Sequence, residues 1–516
     1  MSFIRSILTV SSLTVISRVT GFMRDALAAA FIGASPVADA FFVALRLPSL
    51  FRSLFAEGAF SAAFVPLYAK ALREGGPEGA RHFTGEALSV LLTVLTPFTC
   101  LFIVFMPQAM LVLAPGFNAR PHVYDLAVTY ARITFPYLML VSVVALLSGV
   151  LNSNRRFAPG AAAPIAFNLI MILALLLAAL IGAEPGIMMA GAVTLSGLVQ
   201  WAWMHLHCLK LGVQPDWMRP RLSKGVKELF ARVGPGALGA GATQINIAIS
   251  TVLASLLPSG SVSWLFYADR LNQLPLGIIG IAVATTLLPV LSTRVQAGDH
   301  NGVRHYTTRA VEFSFVLGLP AMIGLAVAAR PIIHVLFEQG AFTSHDTRMT
   351  AFALSAYSLG LLPFILIKVL SAIFFSHHDT KTPVRTAVTS VVLNIVFALS
   401  LLHALGHAGI ALATALASWA NFTLLLLAAR KQKKLLLHPS CTPRLLKIVG
   451  SVAVMALFLL LTHDTVENIL NTHRKLVDIA VLSGYIGISV VLYSAALLLS
   501  KATSLKELKG WLKKES

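Results

Sequence analysis

Long apolar stretches, separated by short polar segments rich in lysine and arginine, recur along the whole chain. A bilayer core of about 30 Å needs roughly 20 residues of helix to cross it. Fourteen stretches suit that role, at about 5–32, 37–69, 82–112, 126–151, 160–182, 187–207, 228–257, 262–292, 309–329, 349–375, 384–402, 408–429, 446–463 and 479–500. The second, third and eighth exceed the bilayer and are expected to tilt or to protrude into the cytoplasm. Leu, Ala and Val with interspersed Gly suit helices, and no ten-residue alternation of a barrel strand is visible. The first span carries a single Arg5 ahead of it and no small-residue cleavage site, so it is expected to be retained rather than removed as a signal.

Composition agrees with this pattern. Of 516 residues, 57% are hydrophobic and 12% charged, with a mean hydropathy of +0.80. Soluble domains carry about 25% charged residues, so a soluble enzyme, a disordered chain and a secreted disulfide scaffold are all excluded. Cys100, Cys208 and Cys441 are odd in number and unrelated in spacing, which suggests neither a disulfide framework nor a zinc site. The expected class is an all-α polytopic membrane protein.

Forty basic residues against 21 acidic ones would suggest nucleic acid in a soluble chain. Their distribution argues for topology instead. The N-terminus, alternate loops near 70–81, 155–156, 210–227, 294–309, 381–385 and 430–447, and the tail from Lys501 hold 27 Lys and Arg. The intervening loops hold five, Arg120, Arg330, Arg348, Arg474 and Lys475. Basic loops stay in the cytoplasm, so both termini are expected there, and no nucleic-acid partner is expected.

Sliding the chain against itself by about 223 residues reveals a weak repeat. Arg81-His82-Phe83 falls on Arg304-His305-Tyr306, Pro97 on Pro320, Ser148 on Ser371, Ser153 on Ser376 and Gly186 on Gly409. With one further residue of shift, Arg46-Leu47 falls on Arg270-Leu271 and Gly116 on Gly340. The offset maps spans one to six onto seven to twelve. Both halves then enter the membrane from the same side, the parallel-repeat arrangement of many transporters. The expected organisation is an N-lobe over 1–210, a C-lobe over 211–434, and an appended pair of spans with a basic cytoplasmic tail over 435–516.

Ionisable groups inside spans are costly and persist where they face a partner or a cavity. Span one carries Arg18, Arg24 and Asp25; span two carries Asp39, Arg46, Arg52 and Glu57; span eight carries Asp269 and Arg270 beside Asn272 and Gln273. At helical spacing Arg18, Gly21 and Asp25 share a face with Ser17 and Arg24 at its edge, and Asp39, Arg46, Ser53 and Glu57 align. Five arginines from three helices are expected to reach similar depths and form a cationic cavity. The planar fork of arginine suits phosphate or diphosphate oxygens. A purely structural ion-pair network, Arg24 with Asp25 or Asp39 with Arg46, is the competing account. Pro48 is expected to kink span two.

Weaker features point elsewhere. His205-x-His207-Cys208 lacks a carboxylate and reads as interfacial histidines, so no metal site is expected. His377-His378-Asp379 reads as a solvated turn, while Arg132 and Lys368 lie within spans and either line a cavity or snorkel. No Gly-x-x-x-x-Gly-Lys-Ser/Thr run is present, so ATP is not the expected driver and no cofactor is expected. The membrane potential is expected to return an empty cationic carrier towards the cytoplasm.

Several segments resemble the MurJ/MviN family of bacterial lipid II flippases, within the multidrug/oligosaccharidyl-lipid/polysaccharide exporter superfamily. They are Ser-Arg-Val-Thr-Gly-Phe-Met-Arg-Asp at 17–25, Ala-Asp-Ala-Phe-Phe-Val-Ala at 38–44, and Phe-Ala-Glu-Gly-Ala-Phe-Ser-Ala-Ala-Phe-Val-Pro at 55–66. Gly-Ser-Val-Ser-Trp-Leu-Phe-Tyr-Ala-Asp-Arg-Leu at 260–271 and Lys-Thr-Pro-Val at 381–384 extend the likeness. The resemblance implies fourteen helices in two six-helix lobes about a central cavity, a groove near the last two spans for a polyprenyl tail, and alternating access. Its essential arginines carry over to Arg18, Arg24, Arg52 and Arg270, and its acidic positions to Asp25 and Asp39. Some members have Lys and Glu where this chain has Arg46 and Gln273. Some bind sodium in the second lobe, but span seven here carries no acidic constellation for it.

The implied substrate is lipid II, carried across the bacterial inner membrane by a monomer surrounded by membrane lipid, with cell-wall synthesis proteins as partners. Ser17, Glu57, Ser263, Asp269 and Asn272 are expected to support the cavity. An exporter of another polyprenyl-linked glycan or of drugs is the same-class alternative, although a carrier of cationic drugs wants carboxylates. A membrane glycosyltransferase wants an acidic site on a sizeable outer domain, and the longest outer loop, about 330–348, is too short for one.

Overall fold

The computed structural model describes residues 3–55, 59–470 and 475–503, and every regular element among them is helical. In chain order the helices are α1 (Phe3–Ile32), α2 (Pro36–Phe55), α3 (Ala59–Val104), α4 (Met106–Leu113), α5 (Pro121–Thr134), α6 (Tyr137–Ser153), α7 (Ala158–Ile181), α8 (Pro185–Lys210) and α9 (Lys224–Ser255). They continue with α10 (Ser261–Pro275), α11 (Ile281–Gln296), α12 (His300–Val327), α13 (Ala329–Phe337), α14 (Ser344–Ser358), α15 (Leu361–Ser376), α16 (Lys381–Leu405), α17 (His407–Lys431), α18 (Cys441–Leu470) and α19 (Lys475–Leu499). A 3-10 turn at Pro115–Ala119 precedes α5, and a π-turn at Leu276–Gly280 joins α10 to α11.

Eleven segments among the described residues are long and apolar enough to cross a membrane, and each falls on an expected span. The first, second and seventh expected spans fall on α1, α2 and α9, of 30, 20 and 32 residues. Large apolar side chains stand on the surface, with Leu180 82%, Val112 77% and Leu461 73% exposed. A monomer in water does not tolerate so much apolar surface; lipid does. The chain is a multi-pass membrane protein.

The segment around 70–81, expected as a loop, is helical. Span two, expected over 37–69, covers α2 and the first residues of α3, with 56–58 outside the described residues. Lys70 to Glu74 are good helix formers, and α3 is interrupted only at Gly76 (φ 62°, ψ −162°). That is a left-handed backbone position suited to glycine, and Pro77 then restarts the helix as an N-terminal proline does. Pro48 lies inside α2, whose helix continues through it to Phe55.

Two compact units are present, Met1–Ser263 with Gln339–Phe342, and Trp264–Glu338 with Thr343–Ser516. In the first, Phe60, Phe64 and Phe83 stack at 5.6 and 5.7 Å around a core shared by α3, α6 and α8. Gly149 admits the Phe64 ring, since a Cβ there would lie 2.8 Å from it. α9 packs on α2 and α3 and so belongs to this unit, although the sequence repeat begins again at 211. Residues 339–342 lie against the end of α1, where the Ala341 N–H donates to the Ala30 carbonyl at 2.8 Å.

In the second unit α18 and α19 pack on α12 and α13 through Val316, Met455, Leu459, Leu482 and Leu497. Tyr493 donates to the Val316 carbonyl and Tyr485 to that of Leu459, each at 2.7 Å. Buried hydroxyls thus find partners without breaking the apolar seam.

Candidate functional site

Charge on α1 is built around Arg24. Its Nε and Nη2 donate to Asp25 Oδ1 at 3.0 and 2.7 Å, and its Nη1 donates to Asn168 Oδ1 on α7 at 3.0 Å. The guanidinium also lies 5.5 Å from the centre of the Phe167 ring. Asn168 turns its amide nitrogen to the Ser17 carbonyl (3.0 Å) and Thr20 hydroxyl (3.2 Å), so one buried amide ties two turns of α1 to α7. The Arg24–Asp25 pair considered from the sequence is formed, and Ser17 joins it through its backbone. Asn168 and Phe167 are additions; a single Asn in the otherwise apolar 160–182 stretch was their only signal.

Arg18 is half-buried one turn and a half before Arg24. On α2, Arg46 and Arg52 are also half-buried, and Arg46 Nε is enclosed without a hydrogen-bond partner. Glu57 lies outside the described residues.

Asp39 does not pair with Arg46. Its carboxylate, 1% exposed, accepts from the Gly260 N–H at 2.6 Å, the Ser263 N–H at 2.9 Å and the Ser263 hydroxyl at 2.7 Å. Both oxygens are thereby spent on the backbone that opens the helix at Ser261, where a negative charge meets unsatisfied N–H groups and the positive end of the helix dipole. Arg120, which the sequence offered only as an outer-loop residue, donates to the carbonyls of Ser255 at 2.9 Å and Leu257 at 3.3 Å. It thereby holds the end of α9 just before that turn.

The span-eight residues lie in the second unit. Arg270 lies 4.6 Å from the centre of the Phe266 ring, Gln273 donates to Asp269, and Asn272 is 3% exposed with its Oδ1 unpartnered. Trp264 in the same helix donates to Asp346 at 2.9 Å, and Asp346 forms a capping box with Thr343 at the start of α14. No sequence pattern announced that Trp264–Asp346 link, because its members are 82 residues apart.

The remaining candidates lie outside these clusters. His207 bonds the Trp203 carbonyl at 2.8 Å and stacks near its ring, and Arg132 donates to the Ile103 carbonyl at 3.1 Å. Lys368 is exposed on α15. Asp379 is more than a solvated turn: it accepts from the Thr382 N–H and hydroxyl and from Lys434. These contacts hold its carboxyl down to about 2.

Helices that span the membrane and carry charged side chains within them define a multi-pass membrane protein, and its fold has solved counterparts. It resembles an inward-facing multidrug resistance MATE family transporter of the MOP superfamily, at TM-score 0.69 and 15% identity, over 82% of this chain and 97% of that one. It also resembles a lipid II flippase MurJ in an inward closed conformation, at TM-score 0.78 and 24% identity, over 97% and 99%. The family model described as lipid II flippase MurJ matches residues 28–478. A probable lipid II flippase MurJ of Rhizobium meliloti (strain 1021) is 43% identical over 429 residues, covering 82% of this chain and 80% of the relative. The chain belongs to the lipid II flippase MurJ family.

Proposed function

We propose that this chain carries lipid II, the polyprenyl-diphosphate-linked peptidoglycan precursor, from the cytoplasmic to the periplasmic leaflet of a bacterial inner membrane. The observation that carries this reading is the family match across residues 28–478. The protein acts as a transporter, not an enzyme, with both termini in the cytoplasm, as the 27-to-5 bias of loop charges suggests.

In this reading the arginines bind the diphosphate in a cationic cavity. Arg18, Arg24, Arg46 and Arg52 supply guanidinium groups from α1 and α2, and Arg270 supplies one from α10. Two features support a cationic site. Asp25 is engaged by Arg24, and Asp39 is committed to the 260–263 backbone. Planar forks match diphosphate oxygens in pairs, which a point charge does not reproduce. Transport proceeds by alternating access, and the Asp39 hydrogen bonds to Gly260 and Ser263 form and break once per cycle.

Complementation tests the proposal. In a bacterium depleted of its own lipid II flippase, this chain should restore growth and cell shape. Full insertion at normal abundance without rescue would contradict it.

A further inference from the structure

A strap of chain, residues 211–223, joins α8 to α9 without regular structure and lies along α3. The backbone of Asp216 passes over Gly85, where a Cβ would stand 2.2 Å from the Asp216 carbonyl oxygen. Two residues later the Met218 carbonyl accepts from the Ser89 hydroxyl at 2.7 Å. Gly225, at the start of α9, comes back to Phe83, where a Cβ would lie 3.2 Å from the ring. The strap therefore advances about one turn along α3 and doubles back.

Its depth follows from the sequence of α3. From Ala87 to Val104 that helix carries no charged residue. At 1.5 Å per residue this run rises about 27 Å, close to the thickness of a bilayer core. Glu86 and Ala87 thus mark the edge of the apolar part of α3, and the strap crosses that edge between Gly85 and Ser89. Backbone outside a helix does not survive among lipid tails, so this level is the head-group layer.

The side chains suit that layer. Trp217 is 85% and Leu222 63% exposed, and Arg219, Arg221 and Lys224 are exposed as well. The one carboxylate of the strap, Asp216, accepts from Arg81 at 2.6 Å. Tryptophan concentrates at membrane interfaces, where its ring meets acyl chains and its N–H meets head groups. Lys and Arg at the membrane surface attract anionic lipid. We propose that the 211–223 strap is a docking surface for anionic phospholipid. Trp217 and Leu222 sit at the acyl boundary, and Arg219, Arg221 and Lys224 meet phosphate oxygens. The occupant is surrounding lipid, distinct from the carried substrate.

The full chain in nanodiscs of phosphatidylcholine and phosphatidylglycerol tests this in two measurements. With Cys100, Cys208 and Cys441 changed to Ala, Trp217→Cys carries a small fluorophore. Lipid spin-labelled near the head group should quench it strongly and aqueous iodide weakly. The second measurement leaves the native cysteines in place, so it stands even if the first variant folds poorly. Native mass spectrometry should show phosphatidylglycerol retained over phosphatidylcholine by the wild type. Arg219→Gln with Arg221→Gln should lower that preference about fivefold for each arginine, and Arg219→Lys with Arg221→Lys should keep most of it. Quenching mainly by iodide would place the strap in water, free for a soluble partner, and would overturn the proposal. So would equal phosphatidylglycerol retention by the wild type and the glutamine variant.

Discussion

Arg24 shows what a guanidinium inside a membrane helix requires: a carboxylate beside it, an amide from a neighbouring helix and a ring face. The first was legible in the sequence, because Arg24 and Asp25 are adjacent and charge in a span is costly enough to demand explanation. The second was not, because a lone Asn in an apolar stretch does not reveal which helix it faces. Asp39 was legible as a functional candidate but not in its use, since its partners are backbone N–H groups 221 and 224 residues away. Changing Arg18, Arg24, Arg52 or Arg270 to Ala should abolish flipping while leaving abundance near normal. Lys should restore it only in part. Growth complementation with quantified membrane expression checks this, and two or more fully active Ala variants would remove the diphosphate site.

The start of α10 is held by a remote side chain, that of Asp39. Cysteines placed next to Asp39 and Ser263, whose side chains meet at 2.7 Å, should crosslink under oxidation. In the alternating-access reading that bond stops transport and its reduction restores transport; undiminished transport with a complete crosslink would refute that step. The α15–α16 turn makes a different prediction. Asp379 is held to about 2, below its ordinary 3.8, first by the Thr382 N–H and also by the Thr382 hydroxyl and Lys434. A depressed carboxyl contributes stability above its unfolded value and loses it as pH falls through the folded one. Asp379→Ala should therefore cost about 1 kcal/mol at pH 6, the usual worth of a side-chain bond to a free N–H in the first turn of a helix. The difference from wild type should shrink between pH 4 and pH 2 in thermal unfolding. Other helix features escaped the sequence for local reasons: the 70–81 segment reads as a basic loop, yet Lys70 to Glu74 favour helix and the break is confined to Gly76.

For the whole molecule, hydropathy alone located the eleven long apolar spans, because lipid leaves no alternative to closed backbone hydrogen bonding. The packing of α9 with the first unit was not legible, since the repeat records ancestry in sequence and packing follows contacts. The specific motifs at 17–25, 38–44 and 55–66 identified the family that the comparisons then showed. Fold and family leave one central claim, that this chain moves lipid II between leaflets. The most direct measurement is the leaflet accessibility of lipid II in cells as the protein is depleted, read with an impermeant reagent or a periplasmic lipid II-cleaving enzyme. The account predicts that lipid II accumulates and becomes protected, and that re-expression restores its cleavage. Lipid II that stays fully accessible from the periplasm after complete depletion, with no other flippase active, would contradict the account.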